Sequence, residues 1–298
     1  MTEAASFRPD HWVQDRLLRG LIGGLLRLPY ERRVPLAGHA VSRLAAPVAG
    51  WPRRIRENLA LAWPDLPEAE VRRLVRAVPD NFGRTVIELY SGAEFTARAV
   101  AAEPEGPGMA ALDAARREGR PVVLVTGHFG NYDASRAALG ARGFPVGGLY
   151  RPMSNRYFNT HYVAAMEAIG TPIFPRDATG MKGMLRHLRK GGILGMVVDQ
   201  HMGHGAPLSF FGTTALTALS AAELALRHDA LLIPAYGIRQ PDGLSFRTVI
   251  EAPVPPGTPE VMTQALNDSL EARVRANPEQ WLWIHRRWKA VQRGQVAP

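Results

Sequence analysis

The chain has no cysteine. That excludes disulfides, a cysteine nucleophile and thiolate metal sites. It also contains no G-x-S-x-G segment, the strained turn that exposes a nucleophilic serine in α/β hydrolases. Lysine is almost missing: Lys182, Lys190 and Lys289 are the only three among 36 basic residues, so 33 are arginine. No run of 18 apolar residues occurs, which argues against a simple membrane-spanning helix. The N-terminus, MTEAASFRPDH, lacks a basic start before an apolar stretch and lacks a small-residue cleavage site, so no signal peptide is expected. No internal repeat or low-complexity block interrupts the pattern, although 24 prolines and 29 glycines mark many turns.

What remains describes an ordinary folded protein. Hydrophobic residues make up 46% and charged residues 21%, too apolar for intrinsic disorder. A length of 298 residues suits one large α/β domain or two small ones. The formal net charge is +9. Arginine presents a planar fork that grips phosphate at two points and stays charged. Such a surplus implies an anionic partner: phospholipid headgroups, a phosphorylated substrate, an acidic carrier protein or nucleic acid. Nucleic acid is disfavoured, because no DNA- or RNA-binding module is recognisable.

Residues 12–28 read as an amphipathic helix. At about 100° per residue, Leu17, Leu18, Leu21, Ile22, Leu25, Leu26 and Leu28 share one half of the wheel, and Arg16, Arg19 and Arg27 the other. Two readings fit equally: a helix lying in a bilayer interface, or a leucine face packed on the domain. A second apolar stretch covers 34–49, and further helices are predicted over 51–62 and 67–91. Residues 93–108, with Pro104, Gly106 and Pro107, look like a linker or long loop.

From residue 122 onward the pattern alternates. Short apolar runs at 122–125, 146–150, 172–174, 193–198, 231–238 and 246–250 predict strands. Helical patterns separate them at 132–142, 155–169, 178–190 and 216–228, with a final helix at 259–276 and a loop over 200–214. This predicts an α/β fold: a mostly parallel central sheet flanked by helices. An N-terminal helical, membrane-associating region (1–50) would precede the main domain (51–298).

The densest cue is VVLVTGHFGNYD, residues 122–133. A buried strand ends at Thr126–Gly127, His128 falls in the turn, and a helix starts near Asn131. Ligand chemistry in open α/β sheets gathers at the carboxyl ends of strands. Asp133 follows His128 by five residues. Residues so spaced on one helix do not face each other, so the two meet only if the chain folds back through the turn. A carboxylate on one ring nitrogen would leave the other free as a base. The alternative is a histidine that caps a helix or satisfies a loop. Arg151 and Arg176 each follow a predicted strand; the plain alternative is a surface salt bridge for Arg151 and a charge that satisfies a loop for Arg176. Asp199 and Gln200 end the strand 193–198, again at the active edge of the sheet. His128, Asp133, Asp199, His201 and His204 could in principle ligate a metal, but no metal and no cofactor is expected. In the tail WLWIHRRWK, Trp281, Trp283 and Trp288 stand beside Arg286, Arg287 and Lys289. This suits a headgroup interface or phosphorylated lipid, or tryptophans packed in a core with His285 and Arg286 hydrogen-bonded; both can hold together.

HFGNYD resembles the His-x4-Asp box of the glycerolipid acyltransferase superfamily. More closely, the chain resembles the bacterial lipid A biosynthesis acyltransferases, the lauroyl and myristoyl transferases. RENLALAWPDLPEAE, LYRPMSN (149–155), PRDATGMKGMLRHLRKGG (175–192), DQHMGHGAPLSFFG (199–212) and PEQWLWIHRRWK (278–289) resemble further blocks of that family in the same order, over roughly residues 53–289. Many members carry glutamate where Asp133 stands, and many begin with a clear membrane-spanning helix, whereas residues 12–28 here are shorter and broken by arginine.

The resemblance implies His128 as general base, Asp133 as its orienting partner and Arg151 as a stabiliser of developing negative charge. Gly130, Asn131, Asn155, Arg176, Asp199 and Gln200 are then the substrate-binding candidates, with turn amides near Gly130 able to face an oxyanion. It implies an acyl carrier protein thioester as donor and a phosphorylated, Kdo-bearing glucosamine disaccharide lipid, the lipid A precursor, as acceptor. The place implied is the cytoplasmic face of the cell inner membrane. The same superfamily also acylates lysophospholipids, glycolipids and amino-acid lipids, so another acceptor is the alternative.

Overall fold

The structure is a computed structural model and describes residues 7–297. The chain opens with helices α1 (Pro9–Leu26) and α2 (Tyr30–Ala40). A π-helical turn (Val41–Ala45) leads into the single turn α3 (Ala46–Val48). Then come α4 (Trp51–Ala62), α5 (Glu68–Leu89), α6 (Gly92–Ala99) and α7 (Gly108–Glu118). The α/β part follows as β1 (Val122–Thr126), α8 (Tyr132–Gly140), β2 (Val146–Tyr150), α9 (Arg156–Ile169), β3 (Ile173–Pro175), α10 (Ala178–Arg189) and β4 (Ile193–Val197). A hairpin, β5 (Ala206–Phe210) and β6 (Thr213–Thr217), precedes α11 (Ser220–Arg227), β7 (Leu231–Arg239), β8 (Phe246–Ile250), α12 (Pro259–Ala276) and the short α13 (Lys289–Gln292).

The main sheet has six strands in the order β3-β2-β4-β1-β7-β8. All neighbours are parallel except β7 and β8. The fold is the expected α/β arrangement of a mostly parallel sheet flanked by helices. Four consecutive apolar residues, Val122 to Val125, make β1 buried on both faces. Val123 and Val125 pack with Met184, Leu188, Ala222 and Leu266 on one side. Val122 and Leu124 pack with Leu112, Leu139 and Ile233 on the other. Each such side chain contributes about 1.5–3 kcal/mol by leaving water.

Two expectations need correction. Residues 93–108 are not a linker: α6 occupies Gly92–Ala99 and tucks Phe95 and Ala99, both essentially inaccessible, into the core beside α8 and β8. Residues 200–214 are not a continuous loop, because β5 and β6 form an antiparallel ladder there. Their two-residue connection uses Phe211 (φ 56°) and Gly212 (φ 70°), the left-handed pair of a tight hairpin turn.

Helix α1 divides between its two readings. Ile22 is buried, and Leu25 and Leu26 pack with Tyr30, Val34 and Ile87. Toward the N-terminus, Trp12, Val13, Leu17, Leu18 and Leu21 are exposed, Leu17 by 69%. Among the described residues no helix is long and apolar enough to cross a membrane.

A buried ion pair ties the N-terminal helices to the sheet. Glu88 on α5 and Arg239 at the end of β7 meet at 2.5 and 2.7 Å, with Glu88 fully buried. Asn131 donates to the same carboxylate at 2.8 Å. Glu88→Ala leaves the guanidinium buried without its counter-charge, so a loss of about 3–5 kcal/mol in urea unfolding is expected.

Candidate active site

The carboxyl ends of β1 and β4 build the centre. The two strands are parallel, with Thr126 opposite Val197. Continuing that register by two residues sets His128 opposite Asp199. The side chains meet there: Nδ1 of His128 lies 2.7 Å from an Asp199 carboxylate oxygen. The other oxygen accepts the His128 backbone N–H at 2.8 Å and the Trp281 indole N–H at 2.8 Å. An ionised carboxylate can only accept, so Nδ1 carries a proton, and in the neutral ring Nε2 keeps its lone pair. Asp199 is fully buried, whereas the imidazole is 23% exposed. Burial alone would raise the Asp199 carboxyl; the charge and hydrogen bonds of His128, with His285 adding, hold it well below the usual carboxylate range.

Gly127 makes room for this pairing. A Cβ there would lie 2.8 Å from Leu270 and 3.1 Å from the Asp199 carboxylate. Gly130 has φ +57°, and a Cβ on it would collide with the Gly237 carbonyl at 2.0 Å.

The loop after His128 is fastened on every side. The His128 carbonyl accepts from Leu282 N–H at 3.0 Å. Gly130 N–H donates to the Gln280 carbonyl, and Asn131 N–H to the Gly237 carbonyl, both at 2.9 Å. The Gly130 amide is thus committed within the protein rather than turned toward an oxyanion. Asn131, almost fully buried, caps α8 by accepting from Asp133 N–H at 3.0 Å while it holds Glu88. These two residues shape the loop.

The structure brings His128 to Asp199 and takes Asp133 elsewhere, which corrects the expected His128–Asp133 contact. The Asp133 carboxylate pairs with Nε of Arg136 at 3.2 Å, one turn further along α8. The Arg136 guanidinium also donates to the Met166 and Gly170 carbonyls, so it locks α8 to the end of α9. The reason is geometric. An in-register neighbour on a parallel strand reaches Nδ1 directly, whereas Asp133 sits beyond the cap on the first turn of α8.

Arg151 and Arg176 repeat the register logic on β2 and β3. Tyr150 stands opposite Pro175, and Arg176 N–H donates to the Tyr150 carbonyl at 2.8 Å. The two arginines therefore follow adjacent strands at the same edge, and both are exposed. Asn155 caps α9 by accepting from Tyr157 and Phe158 N–H and donates to the His11 carbonyl, which anchors α1. Gln200 is exposed next to Asp199. Among the described residues, no group of three or more histidine or acidic side chains is arranged to hold a metal.

The C-terminal segment supplies what sequence reasoning left open. Trp281, Trp283 and Trp288 are inaccessible and pack their rings against Phe210, Phe211 and Trp63. Each indole N–H has an acceptor. His285 lies with its ring 4.5 Å from that of His128, edge to face. Its Nε2 is buried without a hydrogen-bond partner. Burial, then repulsion from His128, pushes the His285 imidazolium down to about 4, with Arg287 and Arg54 adding and Asp199 opposing. The unfolded chain protonates this residue near pH 6.5 and the native state does so only near 4. Its contribution to stability is therefore complete above pH 6.5 and falls away as pH drops toward 4, by up to about 3 kcal/mol. His285→Gln is expected to flatten that acid limb in melting curves recorded from pH 7 to 4.

A histidine held by a buried carboxylate, with one free nitrogen at the open edge of a parallel sheet, is equipped to take a proton from a hydroxyl as it attacks. The comparisons with known proteins agree with that class. The sequence model of the bacterial lipid A biosynthesis acyltransferases matches residues 7–290, so the chain belongs to this family. It is similar to the lipid A biosynthesis lauroyltransferase of Escherichia coli (strain K12), 27% identical over 97% of this chain and 95% of that one. It is also similar to the palmitoleoyltransferase of the same strain (24%, covering 94% and 92%) and to its myristoyltransferase (22%, covering 83% and 77%). The protein is an acyltransferase.

Proposed function

We propose that the chain adds a secondary fatty-acyl group to a lipid A precursor. The donor is an acyl carrier protein thioester. The acceptor is the hydroxyl of a 3-hydroxyacyl chain on a phosphorylated, Kdo-bearing glucosamine disaccharide lipid. The observation that carries the reading is the His128–Asp199 pair at the carboxyl edge of the sheet, in a chain of this family.

In the reaction, Nε2 of His128 accepts the hydroxyl proton while the oxygen attacks the thioester carbonyl. Asp199 stabilises the imidazolium that forms. Arg151, with Arg176 beside it, faces the tetrahedral oxyanion or a phosphate. The intermediate then expels the thiolate, which recovers the proton from His128, and ester and thiol result. Asp133 supports the site by holding Arg136 and the start of α8. With no cysteine and no serine elbow, transfer is direct and forms no acyl-enzyme.

The work takes place at the cytoplasmic face of the inner membrane. The exposed Trp12, Leu17 and Leu21 of α1, with Leu44 and Val48, support residues 1–50 as the membrane-associating region and 51–298 as the acyltransferase domain. The test is mass spectrometry of lipid products from the purified chain, an acyl carrier thioester, and either a tetra-acylated precursor or a lysophospholipid. Acylation of the precursor is expected. Acylation of the lysophospholipid alone would move the chain to the alternative acceptor, and an acyl group trapped on the protein would contradict direct transfer.

A further inference from the structure

The N-terminus of α4 and the C-terminal segment enclose a pocket of about 200 Å³ lined by Gly50, Arg53, Arg54, Glu57, Arg286, Lys289, Gln292 and Arg293. Five cations face one carboxylate. Glu57 pairs with Arg53 at 3.4 Å. Arg54 donates only to the Ile284 carbonyl, at 3.4 Å. The side chains of Arg286, Lys289 and Arg293 meet no acceptor among the described residues. The fold has gathered like charges in a concavity and left them unneutralised, which is unfavourable unless an anion fills it.

Two further observations narrow the anion. Leu44 and Val48, 69% and 92% exposed, lie on the stretch that leads into Gly50 at the pocket wall. Apolar side chains open to the outside thus precede the cations by a few residues, as a lipid headgroup at a bilayer surface requires. Along the chain the pocket wall is one residue from a ring at the reaction centre. Arg286 follows His285, whose ring contacts His128, and Arg54 acts electrostatically on His285. A phosphomonoester carries about −1.5 to −2 charges near neutral pH and three acceptor oxygens. That matches three to four free cations better than a singly charged diester does.

We infer that Arg53, Arg54, Arg286, Lys289 and Arg293 form a binding site for the phosphomonoester headgroup of the lipid acceptor. This rests on the proposed reaction for the identity of the acceptor, but the site can be tested without it. Full-length protein and the variant Arg286→Gln/Lys289→Gln/Arg293→Gln are compared for binding to phosphatidylcholine vesicles doped with phosphatidic acid or with phosphatidylglycerol. The wild type is expected to prefer the monoester at least about fivefold, and the variant to lose that preference with an unchanged melting temperature. Inorganic phosphate should compete only with the wild type. Equal loss on both lipids would reduce the patch to general surface charge, and no loss would remove it; either overturns the inference.

In turnover, KM for a phosphorylated precursor should rise about tenfold or more in the variant, with kcat and the donor KM kept. A rise confined to the donor KM would assign the pocket to the carrier instead and also overturn it. Failure of acyl transfer by both proteins, with the vesicle result intact, would count against the proposed reaction and leave the site standing.

Discussion

His128→Ala is expected to lower kcat for acyl transfer by about 10³-fold or more while the protein stays folded. The imidazole is partly exposed and its replacement opens no core cavity. Its side-chain hydrogen-bond partner, Asp199, keeps the Trp281 and His128 N–H groups. KM for both substrates should change little, because the ring acts on the proton in flight rather than on bound groups. The measurement is steady-state transfer with melting curves of both proteins. A variant with native stability and more than about a tenth of wild-type kcat would remove His128 from the chemistry.

The second large effect separates two carboxylates. Asp199 receives three donors, two of them on the same oxygen. In Asp199→Asn the amide oxygen can keep the Trp281 and His128 backbone donors only by turning its NH2 group toward Nδ1. The imidazole must then accept at Nδ1 and hold its proton on Nε2, where a base is needed. A loss of about 10³–10⁴-fold in kcat is expected, comparable to loss of the histidine itself. Asp133→Asn breaks a different contact, the pair with Arg136. It loosens the α8–α9 junction and should cost about 10- to 100-fold, together with measurable stability. If Asp133→Asn were the more damaging for kcat at full stability, the orienting role would return to Asp133.

This distinction marks how far the sequence could be read. The six strands of the main sheet stood out because each is a short apolar run between glycines, prolines or polar turns. The carboxyl ends of four of them put His128, Arg151, Arg176 and Asp199 on one edge of the sheet. The partnership of His128 and Asp199 could not be read, since the residues lie 71 apart and meet only once β1 and β4 pair in a particular register. Had the register Val122–Ile193 been assumed, the shared offset would have revealed it. The hairpin β5–β6 was hidden because its turn places phenylalanine at positive φ, where asparagine or aspartate usually signals such a turn. Helix α6 was masked by the prolines and glycine that follow it. In the tail WLWIHRRWK the tryptophans form core, whereas His285 Nε2 lacks a hydrogen-bond partner and Arg286 and Lys289 line the basic pocket.

The central claim is that Asp199 holds the Nδ1 proton of His128 and leaves Nε2 free. Nitrogen-15 NMR of the full chain labelled at histidine reads this directly. The expected spectrum has a strongly downfield Nδ1 proton and, in the neutral ring, an unprotonated Nε2 for His128, unchanged in Asp133→Asn and lost in Asp199→Asn. A neutral His128 ring with its proton on Nε2 in the wild type, or a Nδ1 signal that vanishes with Asp133 and survives loss of Asp199, would contradict the account.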